Sequence, residues 1–140
     1  AYDMLADDVK EHIDGLYAIH SYVKAFGRGM SPHEQAAARE KFPDQKHPVA
    51  RTHPVTGNKI LFINRNFTLG IDGMTADESR PLRRLLCAQA EKPEVQCRFR
   101  WQPNSIAQWD NRCTQHYAVP DHGGQNRRVE RVTLIGDRPY

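Results

Sequence analysis

Long apolar stretches are absent from this chain of 140 residues. No run of about eighteen apolar residues occurs, so we expect neither a membrane-spanning helix nor a membrane partner. A basic segment followed by an apolar one does not open the sequence, so no secretory signal peptide is predicted there. These absences favour a cytoplasmic protein, and the length favours one ordinary domain.

Cysteine is scarce. The three cysteines, Cys87, Cys97 and Cys113, are odd in number and widely spaced, which excludes a complete disulfide framework and a zinc site of the C-x-x-C type. Cys87 lies on the apolar face of a predicted helix and Cys97 in an alternating segment, so both are predicted to be buried free thiols. Free thiols are consistent with a reducing compartment.

A strong excess of one charge sign is also missing. Lys and Arg number 20 against 17 Asp and Glu, for a net charge of +3, and the two signs are interleaved. Nucleic-acid binding is the second class of function to consider, because arginines and aromatic residues occur together in the second half of the chain. No recognised binding motif organises them, so we expect solvated faces and no nucleic-acid partner. The set comprises Arg80, Arg83, Arg84, Arg98, Arg100, Arg112, Arg127, Arg128 and Arg131 with Trp101, Trp109 and Tyr117.

The spacing of apolar residues predicts a first helix over residues 3–22. Leu5, Val9, Ile13 and Leu16 recur at steps of three and four residues. Further along the chain, two capping-box patterns mark the starts of other helices.

The first capping box, Ser31 with Glu34, has a proline at the first helical position and predicts a short polar helix that ends near residue 42 and serves as a mobile surface lid. The second, Thr75 with Glu78, predicts a helix with an apolar face. Pro81 is expected to kink the first turn of that helix.

Five segments are predicted to be strands. Residues 49–52 and 59–63 flank a turn-rich segment and suggest a hairpin. Residues 95–101 alternate between apolar and polar side chains, which predicts a half-buried strand. Residues 106–109 and 127–135 supply two more. The chain is therefore predicted to be α+β, without internal repeats.

The last third of the chain carries the most informative pattern, which is His116 followed by Arg127 and Arg131. If residues 127–134 form a strand, the two guanidinium groups point to the same side, because positions four apart share a face. A planar, permanently charged guanidinium holds carboxylate or sulfonate oxygens through paired hydrogen bonds. The pattern suggests a metal beside an anion site.

These residues, and several blocks around them, resemble the C-terminal part of the taurine/2-oxoglutarate dioxygenase family, the TauD/TfdA type. The resemblance covers most of the chain and is weakest over residues 23–45. The matching blocks are HPVARTHP (47–54), FIN (62–64), FT (67–68), RWQPN (100–104), WDNRCTQHYA (109–118) and RVTLIGD (131–137).

The resemblance implies a fold and a set of site residues. The fold expected for residues 1–140 is the C-terminal part of a single double-stranded β-helix, or jelly roll, with flanking helices. Such enzymes bind Fe(II) through two histidines and a carboxylate, take 2-oxoglutarate and O2 as cosubstrates, and hydroxylate a substrate carbon. By position, His116 is expected to be the distal iron ligand.

The anion and substrate positions follow from the same resemblance. Arg127 is expected to bind the distal carboxylate of 2-oxoglutarate, and Arg131 the acidic group at the active site, so both contribute to the 2-oxoglutarate and substrate region. Phe67 matches an aromatic residue of the substrate pocket, and Tyr22 is expected near it. Trp109 and Asp110 are expected to support the His116 segment.

One departure from the family pattern is large. The H-x-D or H-x-E pair that supplies the other two iron ligands is expected upstream of residue 1, so a fragment of these 140 residues alone is expected to be inactive. His12 and Asp14 are not a substitute, because residues two apart on a helix point about 200° apart and cannot meet at one metal. We expect them to be solvated flanks of the first helix.

Several functions remain open at the level of sequence. The resemblance favours hydroxylation of a small acidic substrate, taurine or a related alkylsulfonate with release of sulfite, and also allows alkyl sulfate esters and aryloxy or carboxylic acids. Unpaired strand edges favour a homo-oligomer. The alternative of another class is a catalytically inactive half-domain that acts as a binding or dimerisation module.

Overall fold

The computed structural model describes residues 1–136, 138 and 140. Asp137, the last residue of the RVTLIGD block, lies outside the described residues. The described part is a mixed α+β arrangement with two small antiparallel sheets. Its helices are α1 (Asp7–Ile13), α2 (Tyr22–Phe26), α3 (Pro32–Lys41) and α4 (Ala76–Ala90), with single 3-10 turns at Tyr2–Met4 and Pro93–Val95. Its strands are β1 (Tyr17–His20), β2 (Gln45–Pro48), β3 (Ala50–Thr52), β4 (Lys59–Leu61) and β5 (Thr68–Ile71).

The larger sheet has the order β2-β1-β5, so β1 is its central strand. The predicted long helix over residues 3–22 is therefore wrong beyond Ile13. Gly15 adopts a positive φ of 72°, a conformation that glycine tolerates and that ends the helical path. The next residues gain hydrogen bonds from two neighbouring strands, and Ala18 becomes fully buried. Long-range pairing outweighs local helical periodicity here.

The hairpin predicted in the middle of the chain is present. β3 pairs with β4 in antiparallel register, with Ala50 opposite Leu61. Strand β2, directly before it, was not predicted, because its sequence Gln-Lys-His-Pro has little apolar content. It forms because β1, 25 to 31 residues away along the chain, supplies its hydrogen-bond partners, as in the pairing of Tyr17 with Pro48 and of His20 with Gln45.

Both predicted capping boxes are confirmed. The Ser31 and Thr75 hydroxyls accept from the backbone N–H groups of Glu34 and Glu78, and each glutamate accepts from the cap residue in return. No residue of α3 is buried, as its polar sequence predicts. In α4, Ser79 is buried and its hydroxyl accepts from the Ile71 N–H at 2.8 Å, which joins the helix to β5.

The core lies between α1, α4 and the two sheets. A largely apolar core of this kind is what fixes the relative positions of the short elements. Its most enclosed apolar side chains are Ile13, Val49, Ile63, Ile71 and Leu86. Cys87 is also buried, as predicted, and burial raises the pKa of its thiol.

Residues 96–136 contain neither helix nor strand, so the strands predicted at 95–101, 106–109 and 127–135 are wrong for the part of the chain that the structure describes. Cys97 is exposed, which also corrects the prediction that it is buried. Apolar side chains in this region face solvent, with exposures of 92% for Ile106, 92% for Val132 and 102% for Ile135. An alternating segment forms a strand only where a neighbouring strand accepts and donates its backbone hydrogen bonds and other residues cover one of its faces. None of the five described strands pairs with residues 96–136.

Among the described helices, none has the length and apolar content that a membrane crossing requires.

Candidate functional site

An open cleft of about 370 Å³ lies where β1, β2, α2 and the end of α3 meet the loop before β5. The two residues expected to line a substrate pocket, Tyr22 and Phe67, both line this cleft although they are 45 positions apart. The β1–β5 pairing brings them together, because it places the residues that follow β1 beside those that precede β5. His20, Lys41, Phe42 and His47 also contribute to the lining.

Aromatic rings form one wall of the cleft. Tyr22 stacks on Phe42 with centroids 4.5 Å apart and contacts Phe26 at 4.9 Å, and Phe26 meets Phe67 edge to face at 5.5 Å. The loop that carries Phe67 is fixed by polar contacts. The Phe67 N–H donates to Asn64 Oδ1 at 2.7 Å, and the Ser21 N–H donates to the Phe67 carbonyl at 2.9 Å. The wall is therefore held in place by the backbone as well as by ring packing.

Two imidazole rings form the floor. His20 and His47 meet edge to face with centroids 4.9 Å apart, and the Thr68 hydroxyl is 3.1 Å from His20 Nε2. Burial, then the nearby His47 and Lys24, lowers the pKa of His20 to about 4. Burial, then Arg51, also lowers the pKa of His47. Both rings are therefore neutral at pH 7, and the cleft combines apolar walls and neutral imidazoles with the charged Lys41 side chain.

Stability should depend on the protonation of His20. Because its pKa is about 4 in the folded protein and 6.5 ordinarily, the unfolded chain takes up a proton between these values that the folded ring excludes. The free energy of unfolding should fall as the pH drops from 6.5 to 4, by up to about 3 kcal/mol before the partial solvent exposure of the ring is allowed for. Urea titrations across this range should show a shallower pH dependence for His20→Gln than for the wild type. An identical dependence in the two proteins would contradict this assignment.

The predicted metal ligand, His116, lies in the irregular C-terminal segment and is exposed. Its ring packs against Trp109 with centroids 5.1 Å apart, and its nitrogens make no hydrogen bond with the part of the chain that the structure describes. The neighbouring Gln115 side chain donates to the carbonyl of the buried Ile63 at 2.7 Å. The His116 imidazole therefore faces solvent, while the neighbouring Gln115 attaches the segment to the core residue Ile63.

The two arginines expected to bind anions, Arg127 and Arg131, are also exposed and lie in irregular backbone. The prediction that they share one face of a strand is not met, because no strand forms there. Within residues 1–136 neither makes an ion pair or hydrogen bond, whereas the intervening Arg128 pairs with Glu130 at 2.8 Å. Their guanidinium groups are available to a ligand.

The residues His12 and Asp14 behave as expected for helix flanks. Both are exposed at the end of α1, on either side of the fully buried Ile13. In the described part of the chain they belong to no cluster of metal-ligand type.

One cluster was not predicted. Ligand-type atoms of His53, Asp110 and Cys113 lie within 4.8 Å of one another. His53 Nδ1 accepts from the backbone N–H groups of Val55 and Thr56, both at 3.2 Å, so the ring proton lies on Nε2 and points to Asp110 Oδ2 at 3.2 Å. A metal on Nε2 would require the proton on Nδ1, where two donors already point. The tautomer of His53 with its proton on Nε2 fits a structural contact and not a metal site.

The Asp110 carboxylate is the centre of this cluster. Arg112 binds both of its oxygens, and this contact, the Arg112 backbone N–H and then His53 hold the pKa of Asp110 well below its usual range. Burial, and then Asp110 itself, raises the pKa of the Cys113 thiol, so the thiol is protonated at neutral pH. No sequence signal could have joined residues 57 positions apart in this way.

The sequence matches the model of the taurine catabolism dioxygenase TauD, TfdA family over residues 1–133. The chain belongs to this family. The α-ketoglutarate-dependent sulfate ester dioxygenase of Pseudomonas putida is 36% identical over 99% of this TauD/TfdA chain and 48% of its own length. The alkylsulfatase of Acinetobacter baylyi is 35% identical over 98% of this chain and 45% of its own length.

Solved structures agree with the assignment to the TauD/TfdA family. The crystal structure of AAD-2 in complex with Mn(II) and N-oxalylglycine is 28% identical, with a TM-score of 0.62, and the match covers 72% of this chain and 39% of that chain. The TauD/TfdA chain thus spans about half the length, or less, of the relatives it matches.

The donors present in this TauD/TfdA chain can be compared with those an Fe(II) site needs. An exposed imidazole with both nitrogens free of hydrogen bonds to the described residues suits a divalent metal, and His116 offers one. A facial triad takes three protein ligands, and the described residues place no second donor in a cluster with His116. The chain fits as one part of such a site.

Proposed function

We propose that the protein is an Fe(II)/2-oxoglutarate-dependent dioxygenase that hydroxylates a small organic acid bearing a sulfonate or sulfate ester group. The observation that carries the proposal is the spacing of His116, Arg127 and Arg131 inside the region that matches the family model. The two relatives, a sulfate ester dioxygenase and an alkylsulfatase, support this substrate class. They favour sulfate esters as strongly as the taurine-like sulfonates suggested by the sequence resemblance.

Each residue has a distinct role in this proposal. His116 supplies one nitrogen ligand, and two further ligands come from sequence beyond the described chain. Arg127 binds the distal carboxylate of 2-oxoglutarate, and Arg131 binds the acidic group of the substrate. Bound Fe(II), together with 2-oxoglutarate and O2, supplies the oxidation of a substrate C–H bond.

The cleft orients the substrate. Tyr22 and Phe67, which line the cleft, bind its carbon skeleton against the aromatic wall. In this proposal Arg131, which is not among the described lining residues, fixes its charged end. Holding both ends of a short molecule leaves one carbon facing the metal. The neutral rings of His20 and His47 add no charge to the cleft, and Lys41 is the cation among its described lining residues.

The carbon that is hydroxylated decides the product. Hydroxylation of the carbon bearing a sulfonate sulfur gives an unstable alcohol that collapses to an aldehyde and sulfite. Hydroxylation of the carbon bearing a sulfate ester oxygen gives an unstable alcohol that collapses to an aldehyde and sulfate. In this proposal the chain forms the C-terminal part of one jelly-roll domain in a homo-oligomeric enzyme.

The test is a substrate panel with the complete gene product, Fe(II), 2-oxoglutarate and O2. We expect succinate to form in step with sulfite from taurine and other alkylsulfonates, or with sulfate from alkyl sulfate esters. Aryloxy and carboxylic acids complete the panel. Folded, metal-loaded protein that forms no succinate with any of these acids would contradict the proposal.

A second candidate, a catalytically inactive binding or dimerisation module, is favoured by one observation. The exposed apolar side chains of residues 96–136, including Ile106 and Val132, would be covered by a second copy. Sedimentation would then show a dimer that dissociates when these two residues are changed to serine, and succinate would not form.

A further inference from the structure

We propose that His53 and Gln115 are positioning residues that attach segment 109–116 to the β3–β4 hairpin region and thereby fix His116. The segment has no regular secondary structure, so its place depends on side-chain contacts. The inference rests on the proposed function only in taking His116 as a metal ligand.

The first attachment is the contact between His53 and Asp110. His53 follows β3, and its side chain is only 9% exposed. Two backbone N–H groups on Nδ1 fix both the ring orientation and its tautomer, so Nε2–H donates to Asp110 Oδ2 at 3.2 Å. Arg112 binds the same carboxylate at 2.7 Å and keeps it ionised. A charged acceptor makes this hydrogen bond stronger than a neutral one.

The second attachment is made by the residue next to His116. The Gln115 amide donates to the Ile63 carbonyl at 2.7 Å, and Ile63 is a core residue with 1% exposure. Between the two attachments the backbone folds into a turn, in which the N–H groups of Cys113 and Thr114 donate to the Asp110 carbonyl. The Trp109 and His116 rings, at the two ends of the segment, also pack against each other.

The geometry predicts the effect of removing the His53 or the Gln115 attachment. Loss of either attachment leaves the core elements, β1–β5 with α1 and α4, intact, because neither His53 nor Gln115 belongs to the apolar core cluster. The segment would then lose one of the two attachments described above, and His116 would lose part of what fixes its approach to a metal. Partners that orient a ligand typically contribute about 10- to 100-fold to metal affinity.

The test uses the complete gene product with Gln115→Met, His53→Phe and His53→Gln, each in a Trp101→Phe background so that Trp109 is the only tryptophan of this region. We expect Gln115→Met and His53→Phe to weaken Co(II) binding about 10-fold. His53→Gln keeps a side-chain donor toward Asp110 and should recover most of the affinity. Gln125→Met, a change at an exposed glutamine of the same region, is the matched control and should bind Co(II) as the wild type does.

A metal-free measurement separates this inference from the proposed function. Acrylamide should quench Trp109 fluorescence more readily in Gln115→Met and His53→Phe than in the wild type and in Gln125→Met, whether or not the protein binds Co(II). Wild-type quenching and wild-type affinity in both variants would overturn the inference. So would equal losses in His53→Phe and His53→Gln, since the effect would then come from packing and not from the hydrogen bond.

Discussion

His116→Ala should abolish Fe(II) binding in the presence of 2-oxoglutarate. In the proposed function the His116 imidazole is an iron ligand, and alanine removes its nitrogen altogether. The loss of affinity should exceed the roughly 100-fold upper range seen when a residue that only supports a ligand is removed. The measurement is an anaerobic titration of the complete gene product with Fe(II) and 2-oxoglutarate, followed through the weak visible charge-transfer band.

His122→Ala is the matched control for this experiment. His122 is exposed in the same irregular region, and its side chain forms no hydrogen bond or ion pair with the part of the chain that the structure describes. The His122→Ala variant should leave the visible charge-transfer band unchanged. A band of wild-type intensity in His116→Ala would show that this histidine is not a ligand and would remove the main support for the dioxygenase proposal.

The two arginines should separate 2-oxoglutarate binding from substrate binding. A guanidinium that holds a carboxylate or sulfonate through two charge-assisted hydrogen bonds contributes about 1.5–3 kcal/mol per bond. Arg127→Leu should therefore raise the Kd for 2-oxoglutarate by roughly 100-fold or more. Arg131→Leu should raise the KM for the sulfonate or sulfate ester to a similar degree, with a smaller effect on 2-oxoglutarate.

The residue between them provides the control. Arg128→Leu removes the same charge from the same stretch, but Arg128 already pairs with Glu130, and both constants should stay near wild type. Arg127→Lys keeps the charge and loses the planar fork, so its Kd should lie between those of the wild type and Arg127→Leu. Equal effects of Arg127→Leu and Arg128→Leu would point to a general charge effect and would contradict a specific carboxylate site.

Local signals in the sequence predicted the structure well where the deciding contacts are local. Both capping boxes involve residues three positions apart, and both form as expected. The β3–β4 hairpin depends on a short turn and is also present. Cys87 lies on an apolar helix face, and α4 buries it. For the capping boxes and the hairpin the physical cause lies within about a dozen residues, whereas for Cys87 the apolar face is local and the core that covers it is not.

Predictions failed where a distant partner decides the outcome. Residues 17–20 fit a helical pattern, yet β2 and β5 convert them to the central strand. Residues 127–135 alternate as a strand does, yet no described strand pairs with them. Backbone hydrogen bonds must be satisfied between strands in a sheet, so alternation alone cannot say whether a strand forms.

The sequence by itself determined the family of this protein, because blocks of residues spread along the chain match it. It also predicts His116, Arg127 and Arg131 as site residues from their positions in those blocks. Only the tertiary structure decided which of the chain's other residues meet. It placed Tyr22 beside Phe67 through the β1–β5 pairing and joined His53 to Asp110 through one hydrogen bond. The reason is physical: spacing along the chain fixes local geometry, whereas contacts between distant residues depend on how the sheets and core pack.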